Sequence, residues 1–455
     1  MSEGNKAPAR SGYDSLNMTK SNFGKYGWLM IVISGLLFLF CSGNTTDSLN
    51  VTVEAFAQKF DYDPNLILGY NSLCGYISII GITIINRFMT KTGVRNMITV
   101  LLLLNGVLYF VFAMISSVVG YIIVQTINLI LGNGYAYVCV TSITALANFF
   151  GMGYCHTCAN ALMANWFPRK KGLALGWSTI GVQCATFIYL PVMNFLLAKL
   201  ALSTTFIVFG VAMLVLAVLC WILVRDYPEE KGLTPDNADL SREEVDRLLA
   251  AQQNYKHRIT VMDCILNRDV WLIGIVFGIL SMCVSAVLSQ FIPRCSAYGI
   301  DPALAMLLMS VSAAIGVPGS YAWGWIDQKV STKKSIMAIC LWFAVSLFLF
   351  GFLLPVTAVT STIFMVLLGA AGGGIPNLSA SMITTIFGRS EYAQAYTVFN
   401  PIMTIIRTSS FAILAFVLSL TNNSYSYAYL IFGILAFVGF VLTALIRDKA
   451  IVEDV

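Results

Sequence analysis

Long apolar runs separated by short polar segments dominate the pattern of this chain. Two of the plainest runs are "TTFIVFGVAMLVLAVLCWILV" at 204–224 and "LIFGILAFVGFVLTALI" at 430–446. A helix of about 20 apolar residues is long enough to cross the hydrocarbon core of a bilayer. The pattern therefore predicts an all-α membrane protein.

Twelve such runs can be delimited, and we number them spans 1 to 12. They are predicted at 27–47, 66–86, 97–117, a fourth run that ends near 165, 172–195, 203–224, 269–292, 302–323, 335–354, 360–384, 393–419 and 425–446. The polar segments between them predict a simple division of the chain. It comprises a tail (1–26), a six-helix bundle (27–224), a central loop (225–268), a second six-helix bundle (269–446) and a second tail (447–455).

Two polar segments have a more specific interpretation. The first tail lacks a small-residue cleavage site after a short apolar core, so we interpret it as a tail and not as a signal peptide. The sequence "SREEVDRLLAAQQNYKHR" in the central loop predicts a short amphipathic helix in water.

One apolar stretch is too long for the scheme. No Asp, Glu, Lys or Arg occurs between residues 96 and 168, whereas two spans need only about 40 to 50 residues. A third span would invert the placement of the basic residues described below. We therefore keep two spans there and expect an elongated hairpin or a partly inserted segment at about 118–140.

Composition supports a lipid environment. The chain has 455 residues, of which 58% are hydrophobic and 11% are charged, whereas soluble domains carry about 25% charged residues. So few charges cannot cover a water-facing surface. The formal charge of +5 is explained by basic residues in the loops. It therefore does not indicate a nucleic-acid partner.

The basic residues predict the orientation. Of the 27 Lys and Arg residues, all but four fall on one side of this topology. Lys59, Lys199 and Arg294 fall in loops on the other side, and Arg407 lies within span 11. Basic loops stay in the cytoplasm, so we expect both tails and the central loop to be cytoplasmic, in a multi-pass protein of the cell membrane.

The two halves show a faint internal repeat. A shift of 220 residues places Phe167 on Phe387 and Arg169 on Arg389, and each pair falls between the fourth and fifth span of its half. Parallel six-span repeats about a long central loop are a common construction of secondary transporters.

Several motifs make the chain resemble the major facilitator superfamily. The loop after span 2, "NRFMTKTGVRNM", and the loop after span 8, "GWIDQKVSTKK", resemble its loop signature, although Thr90 stands where an acid is expected. The phrases "NWFPRKKGLALG" and "RDYPEEKGLTPDN" resemble the oxalate/formate antiporter branch and its monocarboxylate-transporter relatives.

The resemblance implies twelve transmembrane helices in two six-helix bundles that rock around a central site. It also implies a gate at the loop motifs, in which Asp327 pairs with a neighbouring helix end. The gate and loop residues carried over from the motif are Arg87, Lys91, Gly93, Arg95, Gly324, Asp327 and Lys329. The alternative is that these charges are solvated and only set the topology.

Arg407 is the main candidate for substrate chemistry. It lies near the middle of "AYTVFNPIMTIIRTSSFAILAFVLSL", roughly 20 Å from either end at 1.5 Å per residue. An Arg at that depth costs at least about 2.5–3.5 kcal/mol, and no acid is available in a span at that depth. Its planar fork suits a carboxylate. A structural Arg bonded to helix carbonyls, Thr408 or Ser409 is the alternative.

The number of cations bears on the substrate. In oxalate-type members of the resembled branch, one cation in the eighth helix and one in the eleventh hold the two ends of a dianion. Here span 8 contains no cation. We therefore expect a monocarboxylate.

Two titratable residues are candidates for proton coupling. His156 is the one histidine in a span, and Asp47 marks the end of span 1; a neutral core His and an exposed loop acid are the alternatives. Cys155 and Cys158 flank His156 at CxxC spacing, but without a second ligand pair we expect no metal site there. We expect no cofactor.

Other polar side chains could line the site. We assign Tyr76, Tyr189, Gln183, Asn400 and Gln290 to substrate binding together with Arg407. The 220-residue shift places Phe187 on Arg407, which predicts that span 5 meets span 11.

The resulting hypothesis is a secondary transporter of a small organic anion, coupled to a proton or a counter-anion, acting as a monomer in the lipid bilayer. A transporter of neutral or cationic compounds and a non-transporting membrane sensor are the alternatives. The two histidines and the absence of an acid cluster beside a span leave little for catalysis, so we expect no enzyme.

Overall fold

The computed structural model describes residues 22–44, 84–85, 87–89, 91–116, 146, 150–151, 153–238, 258–388, 391–422 and 424–447. Within these ranges the chain is helical, with short turns and no strand. Span 2, apart from residues 84–85, lies outside the described residues. So do the 118–140 segment and the amphipathic stretch of the central loop.

The described helices follow the predicted spans. The unbroken ones are span 1 (Gly24–Ser42), span 3 (Val94–Ile115), span 6 (Leu202–Leu223), span 7 (Arg268–Ala297), span 8 (Pro302–Lys329), span 11 (Tyr392–Leu420) and span 12 (Tyr425–Ala444). In the part of the chain that is described, seven helices are long and apolar enough to cross a membrane.

Four spans are interrupted along their length. Span 4 includes a π-helix, Gly153–Ala159, which is followed by the α-helix Asn160–Trp166. Span 5 comprises Lys171–Ser178, Ile180–Cys184, a π-helix at Ala185–Tyr189, and Leu190–Lys199. Span 9 is Thr332–Ser346 continued by the π-helix Leu347–Leu353, and span 10 is Ala358–Gly372 followed by Ile375–Phe387.

Span 6 has one face that packs against protein and one face that is exposed to lipid. Phe209, Met213 and Leu216 recur at helical spacing and are buried against the rest of the bundle. Val211, Val215 and Val218 occupy the opposite face and are exposed. Both faces are apolar because one contacts protein and the other contacts lipid.

The same helix pairs recur in the two halves. Span 3 packs along span 6, and span 9 packs along span 12. Likewise, span 1 packs on span 5 and span 7 packs on span 11. The recurrence is the packing that a duplicated six-span unit produces.

Two sequence predictions about these helices are wrong. Span 7 continues through Pro293 to Ala297, so Arg294 is helical and 2% exposed where the sequence predicted a loop. The Arg294 guanidinium reaches the Phe350 carbonyl oxygen at 2.8 Å and lies 4.5 Å from the Tyr429 ring centroid, and these contacts make burial tolerable. Similarly, span 8 extends to Lys329, so Gly324 and Asp327 belong to its last turns and not to a loop.

The expected pairing of span 5 with span 11 is also wrong. Span 5 packs antiparallel along span 8, with Gly172 beside Gly324 and Gln183 beside Gly316. Small residues on both helices allow this close approach, which a shift of the sequence against itself cannot reveal.

Candidate functional site between the two halves

Arg407 lies inside the protein in the middle of span 11. Ile405, two residues earlier, is 51% exposed, and two residues correspond to about 200° around a helix, so Arg407 faces away from that lipid-exposed side. Its side chain is half-buried. The ion pairs formed by the described residues do not include it.

The surroundings of Arg407 come from both halves of the chain. Tyr396 of its own helix and Cys41 of span 1 are near it, as is His156 of span 4. Span 11 also contacts the last helix of span 4, Asn160–Trp166. The guanidinium therefore has neighbours from both halves of the chain.

His156 belongs to a compact cluster of three possible ligands. The side-chain donor atoms of Cys41, Cys155 and His156 all lie within 4.8 Å of one another. His156 is half-buried, and its ring packs edge-on against Phe38 with the centroids 5.7 Å apart. We name these three residues the Cys/His cluster.

Asn400 lies on the same face of span 11 as Arg407, two helical turns earlier. It is 4% exposed, and its Oδ1 accepts a long hydrogen bond of 3.4 Å from the Tyr396 hydroxyl. Tyr396 in turn stacks on Tyr392, with ring centroids 5.4 Å apart. The Tyr396 hydroxyl and the Asn400 amide therefore lie on the side of span 11 that carries Arg407.

The remaining substrate-binding candidates are on other spans, and their role in substrate binding stays a prediction. Gln183 is half-buried and packs against Gly316 of span 8, while Gln290 is half-buried on span 7. Tyr189 is 2% exposed and bonds Asn44 through its hydroxyl. Tyr76 and Asp47 are outside the described residues.

Tyr189 therefore belongs to a network within the first half. Tyr109 also donates to Asn44 Oδ1, at 2.8 Å, and the surrounding side chains include Phe209 and Met213. The hydroxyl of Tyr189 supports the end of span 1. Its role in substrate binding stays a prediction.

The two halves are in contact at one end of the bundle. We name this the basic end, because residues 87–89, 91–95, 166–172 and 327–334 lie there. Asp327 is 4% exposed, and its Oδ2 accepts a hydrogen bond of 2.6 Å from Ser381. It faces Gly172 and interacts electrostatically with Lys171.

From Asp327 toward the middle of the two helices, the contact between spans 5 and 8 continues as a seam of small residues. The sequence did not predict this seam. Gly172 and Gly176 of span 5 pack on Ser320 and Gly324 of span 8. The Ser320 hydroxyl donates to the Gly176 carbonyl at 3.0 Å. We name these four residues the glycine seam. The four-residue spacing on each helix, typical of close helix contacts, is visible in the sequence.

The first loop motif acts as a helix cap. Gly93 has a φ of 86°, which leaves room for the Asp226 carboxylate in place of a side chain. That carboxylate accepts from the N–H groups of Val94 at 3.0 Å and Arg95 at 2.6 Å. Burial raises the pKa of Asp226, and these two hydrogen bonds act in the opposite direction.

The other charged residues of the loop motifs are at the surface. Arg87, Lys91 and Lys329 are exposed, and the Lys329 ammonium lies 4.6 Å from the Trp325 ring centroid. Thr90 and Arg389 are outside the described residues. The described part of the first loop therefore contacts its own half through Asp226.

The segment after span 6 also holds the start of span 5. Trp166 donates through its indole nitrogen to the Arg225 carbonyl at 2.9 Å. The buried Asp236 carboxylate accepts from the backbone N–H groups of Arg169 and Lys170. The phrases "NWFPRKKG" and "RDYPEEKGLTPDN" are thus two sides of one contact.

The family model of the Major Facilitator Superfamily matches residues 145–408 and, overlapping them, 296–453. This chain belongs to the Major Facilitator Superfamily. As a superfamily member it has twelve transmembrane helices in two six-helix bundles, which confirms the predicted fold class. It is a multi-pass membrane protein of a transporter family.

Relatives and solved structures agree on this placement. Human monocarboxylate transporter 12 is 23% identical over 71% of this chain and 61% of that protein. The oxalate:formate antiporter of Oxalobacter formigenes is 21% identical over 66% of this chain and 67% of that protein. The chain spans less than two thirds of the human, mouse and rat monocarboxylate transporter 12.

Two solved structures share the fold. The proton:xylose symporter XylE has a TM-score of 0.70 at 14% identity, with 94% of this chain and 98% of that one covered. The human organic anion transporter MFSD10 has a TM-score of 0.61 at 11% identity, with 91% and 98% covered.

Proposed function

We propose that this protein is a secondary transporter of a small organic anion, of the monocarboxylate class, that works by alternating access. The observation that carries the proposal is Arg407, a guanidinium inside the protein whose described surroundings hold no ion-pair partner. Placing such a cation near the middle of a membrane helix costs at least about 2.5–3.5 kcal/mol of free energy. A bound carboxylate would offset that cost.

The neighbours of Arg407 fit one carboxylate with an uncharged remainder. The guanidinium fork can donate two parallel hydrogen bonds to a single carboxylate. Asn400 and Tyr396 add polar groups on the same helix, and Phe38 adds an apolar ring near His156. The names of the relatives, monocarboxylate transporter 12 and oxalate:formate antiporter, support the same substrate class.

Alternating access has a physical basis in the glycine seam. In the conformation described, spans 5 and 8 close the basic end by direct helix contact. If the two halves rocked apart at the basic end, Arg407 would become accessible from that side of the membrane. From the distribution of Lys and Arg, we propose that this side is the cytoplasm, that both tails lie there and that the membrane is the cell membrane.

Binding of carboxylates is tested most directly on the purified protein. We expect formate, acetate or lactate to raise the melting temperature, whereas choline and glycerol leave it unchanged. Arg407→Gln should weaken the binding of whichever carboxylate stabilises the protein about 10- to 150-fold. This loss is equivalent to about 1.5–3 kcal/mol, the contribution of a charged hydrogen bond. Arg268→Ala, which removes a cation whose side chain is 64% exposed, is the matched control and should bind as the wild type does.

Stabilisation by choline or glycerol alone would overturn the proposal in favour of a transporter of cationic or neutral compounds. Unchanged carboxylate binding by Arg407→Gln would overturn the assignment of the site. Binding without flux in sealed vesicles would identify a sensor.

The same vesicles separate the two modes of coupling. Uptake that follows an imposed pH gradient identifies proton symport, for which His156 and Asp47 are the candidates. Uptake that needs the same anion inside the vesicle identifies exchange.

A further inference from the structure

The Cys/His cluster brings together three good metal ligands from two distant parts of the chain. Two thiols and one imidazole, from spans 1 and 4, have their donor atoms within 4.8 Å of one another. We propose that Cys41, Cys155 and His156 form a binding site for a soft, thiophilic d¹⁰ metal ion, such as Zn²⁺, Cd²⁺ or Cu⁺, beside the central site. The proposal does not depend on the transported substrate.

The spacing of the donor atoms suits such an ion. In a tetrahedral site with metal–sulfur bonds of about 2.3 Å and metal–nitrogen bonds of about 2.0 Å, neighbouring donor atoms are about 3.5–3.8 Å apart. The cluster is within about an ångström of that arrangement.

The local helix geometry explains why consecutive residues reach the same partner. Cys155 and His156 lie in the π-helix Gly153–Ala159, whose wider turn changes the direction of its side chains, and π-helical turns are frequent at functional sites. Cys41 lies near the end of span 1, and Phe38, one turn earlier, contacts the His156 ring. Span 1 therefore faces both ligand residues of span 4.

Burial and ligand type select the kind of ion. Both thiols are 1% exposed, and His156 is half-buried, so its side of the cluster is the more accessible one. The cluster itself contains no carboxylate. Hard ions such as Ca²⁺ and Mg²⁺ require oxygen ligands, whereas thiolates and imidazole favour Zn²⁺, Cd²⁺ and Cu⁺.

The nearby Arg407 does not oppose this binding. Each cysteine that binds a metal ion loses a proton, so two thiolates cancel the charge of a divalent ion and outweigh that of a monovalent one. The net charge near the guanidinium therefore does not increase. An ion that left both thiols protonated would add its full charge beside Arg407, which further disfavours hard ions.

The cluster is distinct from the CxxC spacing in the sequence. Cys158 is also buried, but it is absent from the group of donor atoms that lie together. Cys41, which is far away in the sequence, takes its place. Cys158→Ala is therefore a matched control, because it removes a buried thiol from the same π-helix.

The test is a titration of the purified, reduced protein with Cd²⁺, followed by the ultraviolet charge-transfer band of cadmium thiolates. We expect one equivalent to bind and to raise the melting temperature, because the ion ties span 1 to span 4. Cys41→Ala, Cys155→Ala and His156→Gln should each weaken Cd²⁺ binding by at least about 10- to 100-fold. Loss of a residue that only supports a metal ligand already costs that much affinity. Cys158→Ala should bind as the wild type does.

Equal binding by the wild type and Cys41→Ala would overturn the proposal, as would tighter binding of Ca²⁺ than of Cd²⁺. Each variant is first compared without metal for its melting temperature. If one of the cysteine variants does not fold, His156→Gln decides the question, because it keeps both thiols and removes only the nitrogen ligand. The readout is metal binding, so it is independent of whether the protein transports carboxylates.

Discussion

The Asp327 carboxylate lies directly against Gly172, and this contact joins the two halves at the basic end. A Cβ placed on Gly172 would collide with Asp327 Oδ2. The same carboxylate accepts a hydrogen bond from Ser381. The closure of the basic end thus depends on the absence of a side chain at one position of span 5.

Gly172→Ala should weaken this closure. The added methyl group must displace Asp327 or separate spans 5 and 8, and overpacking of this kind costs about 1–3 kcal/mol. We expect Ser320→Cys, a buried position of the glycine seam, to become more reactive toward a water-soluble maleimide when Gly172→Ala is also present. Gly372→Ala is the matched control, because its nearest neighbour would be 3.9 Å from the new Cβ. Equal labelling in both backgrounds would contradict the role of Gly172.

Arg407 and Arg294 should respond in opposite directions to the same substitution. Arg294 donates to the Phe350 and Gly351 carbonyl oxygens and packs on the Tyr429 ring, so Arg294→Met should destabilise the protein by about 1.5–3 kcal/mol. Arg407→Met should stabilise the ligand-free protein by up to about 2.5–3.5 kcal/mol, since it removes an uncompensated charge. Melting temperatures in one detergent measure both. A clear loss of stability in Arg407→Met would indicate a structural role.

Asp226→Ala should destabilise the start of span 3. Gly93 at the N-cap offers no side chain, and Asp226 supplies the missing acceptor for Val94 and Arg95. Loss of a helix cap costs about 0.5–2 kcal/mol, and Asp226→Asn, which keeps one acceptor oxygen, should cost less than Asp226→Ala. Lys91→Ala, at an exposed position just before the same helix start, should change the free energy of unfolding little. Equal losses in Asp226→Ala and Lys91→Ala would refute the capping role.

Tyr189→Phe separates a structural role of this residue from substrate binding. The ring stays, and the hydrogen bond to Asn44 is lost. We expect a loss of about 1 kcal/mol in stability with an unchanged KM for the transported anion. A raised KM with unchanged stability would place the hydroxyl in the binding site, as the sequence predicted.

The sequence determined the class of the protein because its solvent is lipid. A helix in contact with lipid must be apolar around its whole surface and about 20 residues long, so the spans can be delimited from the pattern alone. The same logic singled out Arg407, since a cation in such a run is conspicuous without any knowledge of its neighbours. The four-residue spacing of Gly172 and Gly176 was also available, although its partner on span 8 was not.

Only the tertiary structure decided which helices meet and which side chains share a site. The apolar faces of the spans are chemically alike, so no pattern specifies that span 5 packs on span 8, or that Cys41 joins Cys155 and His156. Arg294 was misplaced for the same reason: carbonyl oxygens of a distant π-helix and an aromatic ring make its burial possible. Contacts between residues far apart in the chain depend on the close approach of backbones, and that approach is a property of the packed helices together.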